Sequence, residues 1–273
     1  NITKFSYKVA KKFKFVRKIM KTTKLKAPFA WVGGKSKLAT KIIPLMPPHI
    51  KYVEVFGGAL SVFYQKEPSK IEIINDINGD LINLHRIIGT RPQSLSAYVD
   101  AMLKSREIFY AIKEGKIKPK NKIEAAAFYY YQISLSFGAK GDNFAMPKNR
   151  STKNIYRDFS IYSRRIKRAS IENLSYEKLI EQYDGTDTLF YADPPYVGTE
   201  SYYKTADGFT TSDHQNLAQI LRSVKAKFML SYNDCEMVRD LYAGLNVKEL
   251  KVSYSLNNAV ERKTSGELLI MNF

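Results

Sequence analysis

Residues 188–196 read Thr-Leu-Phe-Tyr-Ala-Asp-Pro-Pro-Tyr, an apolar run cut off by two consecutive prolines. Proline has no N–H for a ladder and its fixed φ interrupts a helix, so a strand here must end by Asp193. An apolar run of this kind, with no polar alternation, suits a strand covered on both faces. Further strands are expected at 52–56, 71–75 and 228–231, with two more near the C-terminus. Helices are expected over 36–46, with Ser36 as cap and Pro47-Pro48 as stop, then from about 59, over 79–88, 213–224 and 235–242. Strand and helix alternating at both ends of the chain predict a mostly parallel sheet with helices on each face. The middle, roughly 90–170, breaks that rhythm. It is helical from 91 to about 131, then rich in Gly, Asn, Lys and Ser over 137–155, as in an irregular loop or hairpin.

A chain of 273 residues that is 44% hydrophobic can bury one large α/β domain, or a domain with an inserted module. No apolar run approaches the length of a bilayer span and nothing resembles a secretory signal, so no membrane role is expected and a cytoplasmic setting is. The single cysteine, Cys235, excludes an intramolecular disulfide framework, and His49, His85 and His214 show no ligand spacing, so no metal is expected. With 44 Lys and Arg against 26 Asp and Glu, the net charge of +18 points to a polyanion such as nucleic acid. Residues 1–27 hold ten of those cations and no acid, and Phe5, Val9, Phe13, Val16 and Met20 recur there at helical spacing. The segment is expected to be a basic N-terminal extension. A second concentration, nine cations against Asp142 and Asp158, spans 139–168 with Phe144, Tyr156, Phe159 and Tyr162 interleaved. It suits a surface that meets phosphates and bases, or simply a solvated face.

Four stretches carry chemistry. Residues 29–38, Phe-Ala-Trp-Val-Gly-Gly-Lys-Ser-Lys-Leu, look like the end of a phosphate loop, but Phe29 stands where that motif needs its first glycine. Residues 52–63 read as a strand, a glycine turn at Gly57-Gly58 and a helix start, the geometry with which open α/β sheets receive cofactors. Asp76 ends the next strand, where an acid accepts hydrogen bonds from a ribose diol, so NAD and S-adenosylmethionine both suit the pair. Asp193, the Pro194 carbonyl and the Tyr196 ring together suit an exocyclic amino group on a planar base. Direct attack by such an amine fits adenine N6 or cytosine N4. A C5-cytosine mechanism needs a thiolate, which Asp234 and Glu236 beside Cys235 oppose.

In order and spacing these stretches resemble the α group of DNA amino-methyltransferases, which includes the bacterial DNA adenine methyltransferases. The resemblance covers most of 27–273, through "PFAWVGGKSKL", "VEVFGGALSVF", "NDIN", "ADPPY", "LSYND" and "GELLIMNF". It implies a class I, Rossmann-like S-adenosylmethionine-dependent methyltransferase sheet, at 28–90 and 170–273, with a helical target-recognition insertion at 91–169. Trp31, Lys35 and Gly58 would contact the cofactor, Glu54, Phe56 and Gly57 would line its methionine end, and Asp76 would hold its ribose. Asp193, Pro194, Pro195 and Tyr196 would form the catalytic corner, with Asp193 also adjoining the cofactor. In the insertion, Lys140, Asn143, Lys148, Arg150 and Lys153 would contact double-stranded DNA, with no obligate protein partner. The implied reaction moves a methyl group to N6 of a flipped-out adenine, in a prokaryotic, phage or mobile-element setting. Cytosine N4 methylation and a DNA-binding module with a decayed cofactor pocket are the alternatives. This chain departs from the family in three places. The hairpin core Gly141-Asp142-Asn143-Phe144-Ala145-Met146-Pro147 orders Asn and Phe differently from Gly-x-Phe-Asn-x-Pro, leaving GATC only a first expectation for the site. Leu60 replaces a third glycine, and 171–179 shows no obvious counterpart of an acid often found before the catalytic strand.

Overall fold

The computed structural model describes residues 25–145, 154–200, 208–251 and 266–273. Residues 1–24 of the basic extension expected over 1–27, and Lys148, Arg150 and Lys153, lie outside the described residues. Seven strands form one sheet: β1 (Lys51–Glu54), β2 (Ile71–Asn75), β3 (Ser170–Glu172), β4 (Thr188–Ala192), β5 (Lys227–Asn233), β6 (Asn246–Lys251) and β7 (Gly266–Met271). Their spatial order is β3-β2-β1-β4-β5-β7-β6. Neighbours from β3 through β5 pair in parallel, and β7 runs antiparallel to β5 and β6. The chain works outward from β1 in one direction and from β4 in the other. The crevice at the carboxyl ends of these two strands is therefore the topological switch point, where such sheets bind ligands.

Period-two geometry sends alternate side chains of these apolar strands into two different cores. Tyr52, Leu189 and Tyr191 enter one cluster, while Val53, Phe190 and Ala192 enter the other. The helices are α1 (Ala39–Ile42), α2 (Ser61–Gln65), α3 (Gly79–Thr90), α4 (Pro92–Asp100), α5 (Arg106–Lys113), α6 (Lys122–Leu135), α7 (Ser160–Ile166), α8 (Tyr176–Tyr183), α9 (Thr211–Ser223) and α10 (Glu236–Leu241). Asn78 caps α3 by accepting from the N–H groups of Asp80 and Leu81, and Thr210 with Asp213 forms a capping box on α9. Residues of α8 and α9 cover the second face, with Leu179, Ile180, Leu217 and Leu221 buried there. The first face is covered by α3 together with the helices of the middle segment. Leu95, Val99, Phe109, Tyr131 and Ile166 share one cluster with Tyr52 and Ile74 of the sheet.

A buried ionic trio ties the middle segment to that sheet. Glu72 of β2 accepts from Lys66 Nζ at 2.5 Å and from the guanidinium of Arg165 on α7. Arg165 also donates to the Phe63 carbonyl at 2.9 Å and lies 3.7 Å over the Phe63 ring. Burial disfavours ionised Glu72, but the two cations hold its carboxyl below the usual range.

Several local expectations need correction. Ser36 caps nothing: α1 begins at Ala39 after Leu38 with no side-chain cap, and Ser36 Oγ instead faces Ser61 Oγ at 3.2 Å. The helix is also shorter, passing into a 3-10 turn at Ile43–Leu45 before the two prolines. The helical stretch from 91 breaks into α4, α5 and α6, and β3, α7 and α8 were not foreseen.

Candidate active site

Two turns frame the switch point. The first follows β1. Gly57 N–H donates to the Asn75 carbonyl at 2.7 Å, and a Cβ on Gly57 would stand 2.7 Å from that same oxygen. Gly58 has φ +50, and a Cβ there would meet Trp31 Cδ1 at 2.8 Å, so the indole packs directly on the turn. Leu60 then takes φ 58, a left-handed conformation that costs a residue with a Cβ about 1–2 kcal/mol. Asp76, just past β2, accepts from Gly58 N–H and Asn78 N–H, each at 2.9 Å. Burial raises its carboxyl above the usual range against the pull of those bonds. Beneath the turn, His85 Nε2 lies 2.7 Å from the Gly58 carbonyl. Burial lowers this imidazole to about 4, so it is neutral at pH 7 and Nε2 carries the donated proton.

Glu54, the last residue of β1, faces the same space. Its Oε2 accepts from the Tyr52 hydroxyl at 2.7 Å and from Phe63 N–H at 3.0 Å. Burial still pushes this carboxyl up to about 8.

The second turn follows β4. Asp193 Oδ1 lies 2.8 Å from Lys35 Nζ, which also donates to the Gly33 carbonyl at 2.7 Å and lies 3.6 Å from Glu267 on β7. The Tyr196 hydroxyl donates to Glu267 at 2.5 Å, and Lys35 Nζ sits 4.6 Å from the Tyr196 ring centroid. Burial raises the Asp193 carboxyl to about 6, with Lys35 opposing the rise and Glu267 adding to it. Beyond the two prolines, Asn233 exchanges bonds with Val197 N–H and carbonyl at 3.2 and 3.1 Å.

Both turns open on one cavity of about 1510 Å³. It is lined by Trp31, Lys35, Glu54, Phe56, Gly57, Gly58, Asp76, Asp193 and Pro195, so nearly every residue expected at the cofactor and catalytic sites converges here. Pro194 and Tyr196 lie outside that lining. From the middle segment Lys140 reaches the cavity. Exposed Asn143 stays outside, where its carbonyl accepts from Phe137 N–H in a short hairpin bridged at Ser136 and Phe144. Sequence reasoning missed Tyr176 and Phe209, which form an aromatic wall with Phe56 at centroid distances of 5.8 and 6.0 Å. It also missed Glu267, whose only signal was an acid inside the apolar strand Gly-Glu-Leu-Leu-Ile-Met.

A seven-stranded sheet in this order, with one reversed strand and acids at the carboxyl ends of β1, β2 and β4, defines a class I S-adenosylmethionine-dependent methyltransferase. The chain belongs to the D12 class N6 adenine-specific DNA methyltransferase family, whose profile matches residues 31–256. It is similar to the type II methyltransferase M.MjaIII of Methanocaldococcus jannaschii, with 28% identity over 89% of this chain and 97% of that protein. The retron Ec67 DNA adenine methylase of Escherichia coli is 26% identical over 89% of this chain and 90% of its own. The DNA adenine methylase of Escherichia coli K12 is 27% identical over 91% and 95%. The activity is therefore site-specific methylation of adenine N6 in DNA, with S-adenosylmethionine as methyl donor. Among the described residues no helix is long and apolar enough to cross a membrane.

The residues present fit that donor. Asp76 offers a carboxylate for a diol, beside a turn too tight for a Cβ at either glycine. Glu54 is a cavity acid raised by burial, and a cationic ligand would bring it back to its charged form.

Proposed function

We propose that the β4 corner acts on an adenine flipped out of double-stranded DNA, with GATC the first site to test. S-adenosylmethionine supplies an electrophilic methyl on a sulfonium sulfur. Adenine N6 is a poor nucleophile because its lone pair is delocalised into the ring. Hydrogen bonds from N6–H to Asp193 and to the Pro194 carbonyl favour a more tetrahedral nitrogen and disperse its developing positive charge. No covalent enzyme intermediate is needed. Trp31, Gly57, Gly58 and Phe56 shape the donor's cavity, Asp76 takes the ribose and Glu54 the cationic methionyl end, and Lys35 stands between the donor and Asp193. Tyr196 offers its ring to the extruded base. Flipping costs a few kcal/mol, and aromatic stacking worth about 1–3 kcal/mol offsets much of it. Lys140 and Asn143, with Lys148, Arg150 and Lys153, supply the DNA contacts of the insertion.

The observation that carries this reading is the Asp193 carboxylate, in the lining of one cavity with Trp31, Glu54 and Asp76. Methylation-sensitive sequencing of DNA from a host lacking adenine methylation, with and without the expressed protein, tests it. The expected product is N6-methyladenine at one short motif. Modified cytosine, or no modification despite S-adenosylmethionine binding by calorimetry, would refute it.

A further inference from the structure

We infer that Glu267 is a positioning residue for methyl transfer: from β7 it anchors the Tyr196 ring and divides Lys35 between itself and Asp193. The inference rests on the roles proposed above for Asp193 and Tyr196. Glu267 is 2% exposed in a strand whose next four residues, Leu268 to Met271, are buried and apolar. A buried carboxylate is costly unless paired, and nothing in the packing of an apolar strand calls for one. Its partners are those of the catalytic corner. One oxygen accepts the Tyr196 hydroxyl at 2.5 Å and lies 3.6 Å from Lys35 Nζ, whose distance to Asp193 is 2.8 Å. One ammonium therefore serves two carboxylates.

The register strengthens the case. Glu267 pairs with Asn233 across the β5–β7 ladder, and Asn233 holds the main chain of Val197 through two bonds. A single rung thus fixes the side chain of residue 196 and the backbone of residue 197, immediately beyond the two prolines. Without the Glu267 charge, Lys35 would belong to Asp193 alone. Asp193 would then be a weaker acceptor for an amino group. The groups facing Asp193 are Lys35, Glu267 and Tyr196, with Glu54 of β1 and Tyr191 of β4. Among them Glu267 is a carboxylate that pushes the Asp193 carboxyl up, so its neutralisation moves Asp193 down.

The test is Glu267→Gln, which keeps the volume and an acceptor for Tyr196. The expected result is a fall in kcat on the order of 10²-fold with KM for S-adenosylmethionine within about threefold, because geometry and not binding is lost. The acid limb of the kcat–pH profile moves to lower pH, whereas Tyr196→Phe lowers kcat and moves that limb, if at all, to higher pH, because its hydroxyl helps hold the Asp193 carboxyl down. An unmoved limb in Glu267→Gln, or kcat within about threefold of the parent, overturns the proposal. Should Glu267→Gln fail to fold, Glu267→Asp decides: the charge stays but retracts by one methylene, so kcat falls at an unchanged limb, and parental kcat overturns the proposal. A carboxyl-carbon NMR titration of Asp193, assigned with Asp193→Asn, reads the same shift without turnover. A parent that methylates no DNA would sink the reading of function, while an Asp193 midpoint unmoved by Glu267→Gln would sink this one.

Discussion

The turns after β1 and β4 lie side by side, on strands paired from Lys51 and Thr188 to Glu54 and Tyr191, yet they are built on opposite principles. The β1 turn works through its backbone. Its glycines admit an indole ring and a carbonyl where no Cβ fits, and its acid, Asp76, is bound by main-chain N–H groups. The β4 turn works through side chains. Prolines stiffen it, and Lys35, Asp193, Glu267 and Tyr196 hold one another by charge and hydrogen bond. A backbone site tolerates a change of charge better than a change of volume, and a charge network does the reverse. The first suits a cofactor of fixed shape, the second a reaction in which charge develops.

Substitution can break this contrast, most strongly at Asp193. Asp193→Ala should lower kcat on the order of 10³-fold or more while DNA affinity by filter binding stays near parental, since the developing charge loses its acceptor. Activity within tenfold of the parent would be flagrantly at odds with the β4 turn as drawn. On the other turn, Gly57→Ala should destabilise by about 1–3 kcal/mol, with Tm falling roughly 2–4 °C per kcal/mol, because a Cβ has no room against Asn75. A parental melting curve would show that the turn yields. The pH dependence of cofactor binding sharpens the comparison further. Burial raises the Glu54 carboxyl to about 8, so it is mostly protonated at pH 7, and a cationic ligand must expel that proton. Affinity for S-adenosylmethionine by calorimetry should rise with pH, by up to about tenfold per unit, and level off above the midpoint. Glu54→Gln should bind weakly at a pH-independent affinity. For the ligand-free fold the sign is opposite: a raised carboxyl contributes stability at low pH that is lost as pH rises through about 8. The smallest effect is at Leu60. Leu60→Gly and Leu60→Ala both leave a cavity, but only Ala keeps a Cβ at φ 58, so Gly should be the more stable by about 1 kcal/mol in denaturant titration. The usual order, Ala above Gly, would mean that the conformation relaxes.

Sequence legibility followed the same division. Strands β1, β2, β4 and β5 announced themselves as apolar runs because both faces are covered, and the glycine turn and Asp76 lay at fixed offsets from them. Strand β3 has three residues with an exposed start and no fully buried position, too little to register as a pattern. Ser36 looked like a cap, but its hydroxyl is engaged by Ser61, twenty-five positions away, a tertiary partner that local spacing does not reveal. Glu267 and Lys35 are 232 positions apart in the chain, and only the reversed β7 brings them together. Charge pairing at that separation leaves no periodic trace.

The clasp of Lys66, Glu72 and Arg165 bears on any attempt to exchange the middle segment between relatives. Exchanging the whole of 91–169 would remove Arg165 from Glu72 and Phe63, and with it Leu95, Val99, Phe109 and Tyr131, which share one core cluster with Tyr52 and Ile74. A chimaera made at those borders would inherit a stranded acid and half an interior. Grafts confined to residues 136–145 would leave Arg165, Leu95, Val99, Phe109 and Tyr131 in place, so that the DNA contacts proposed for that stretch could be judged on their own.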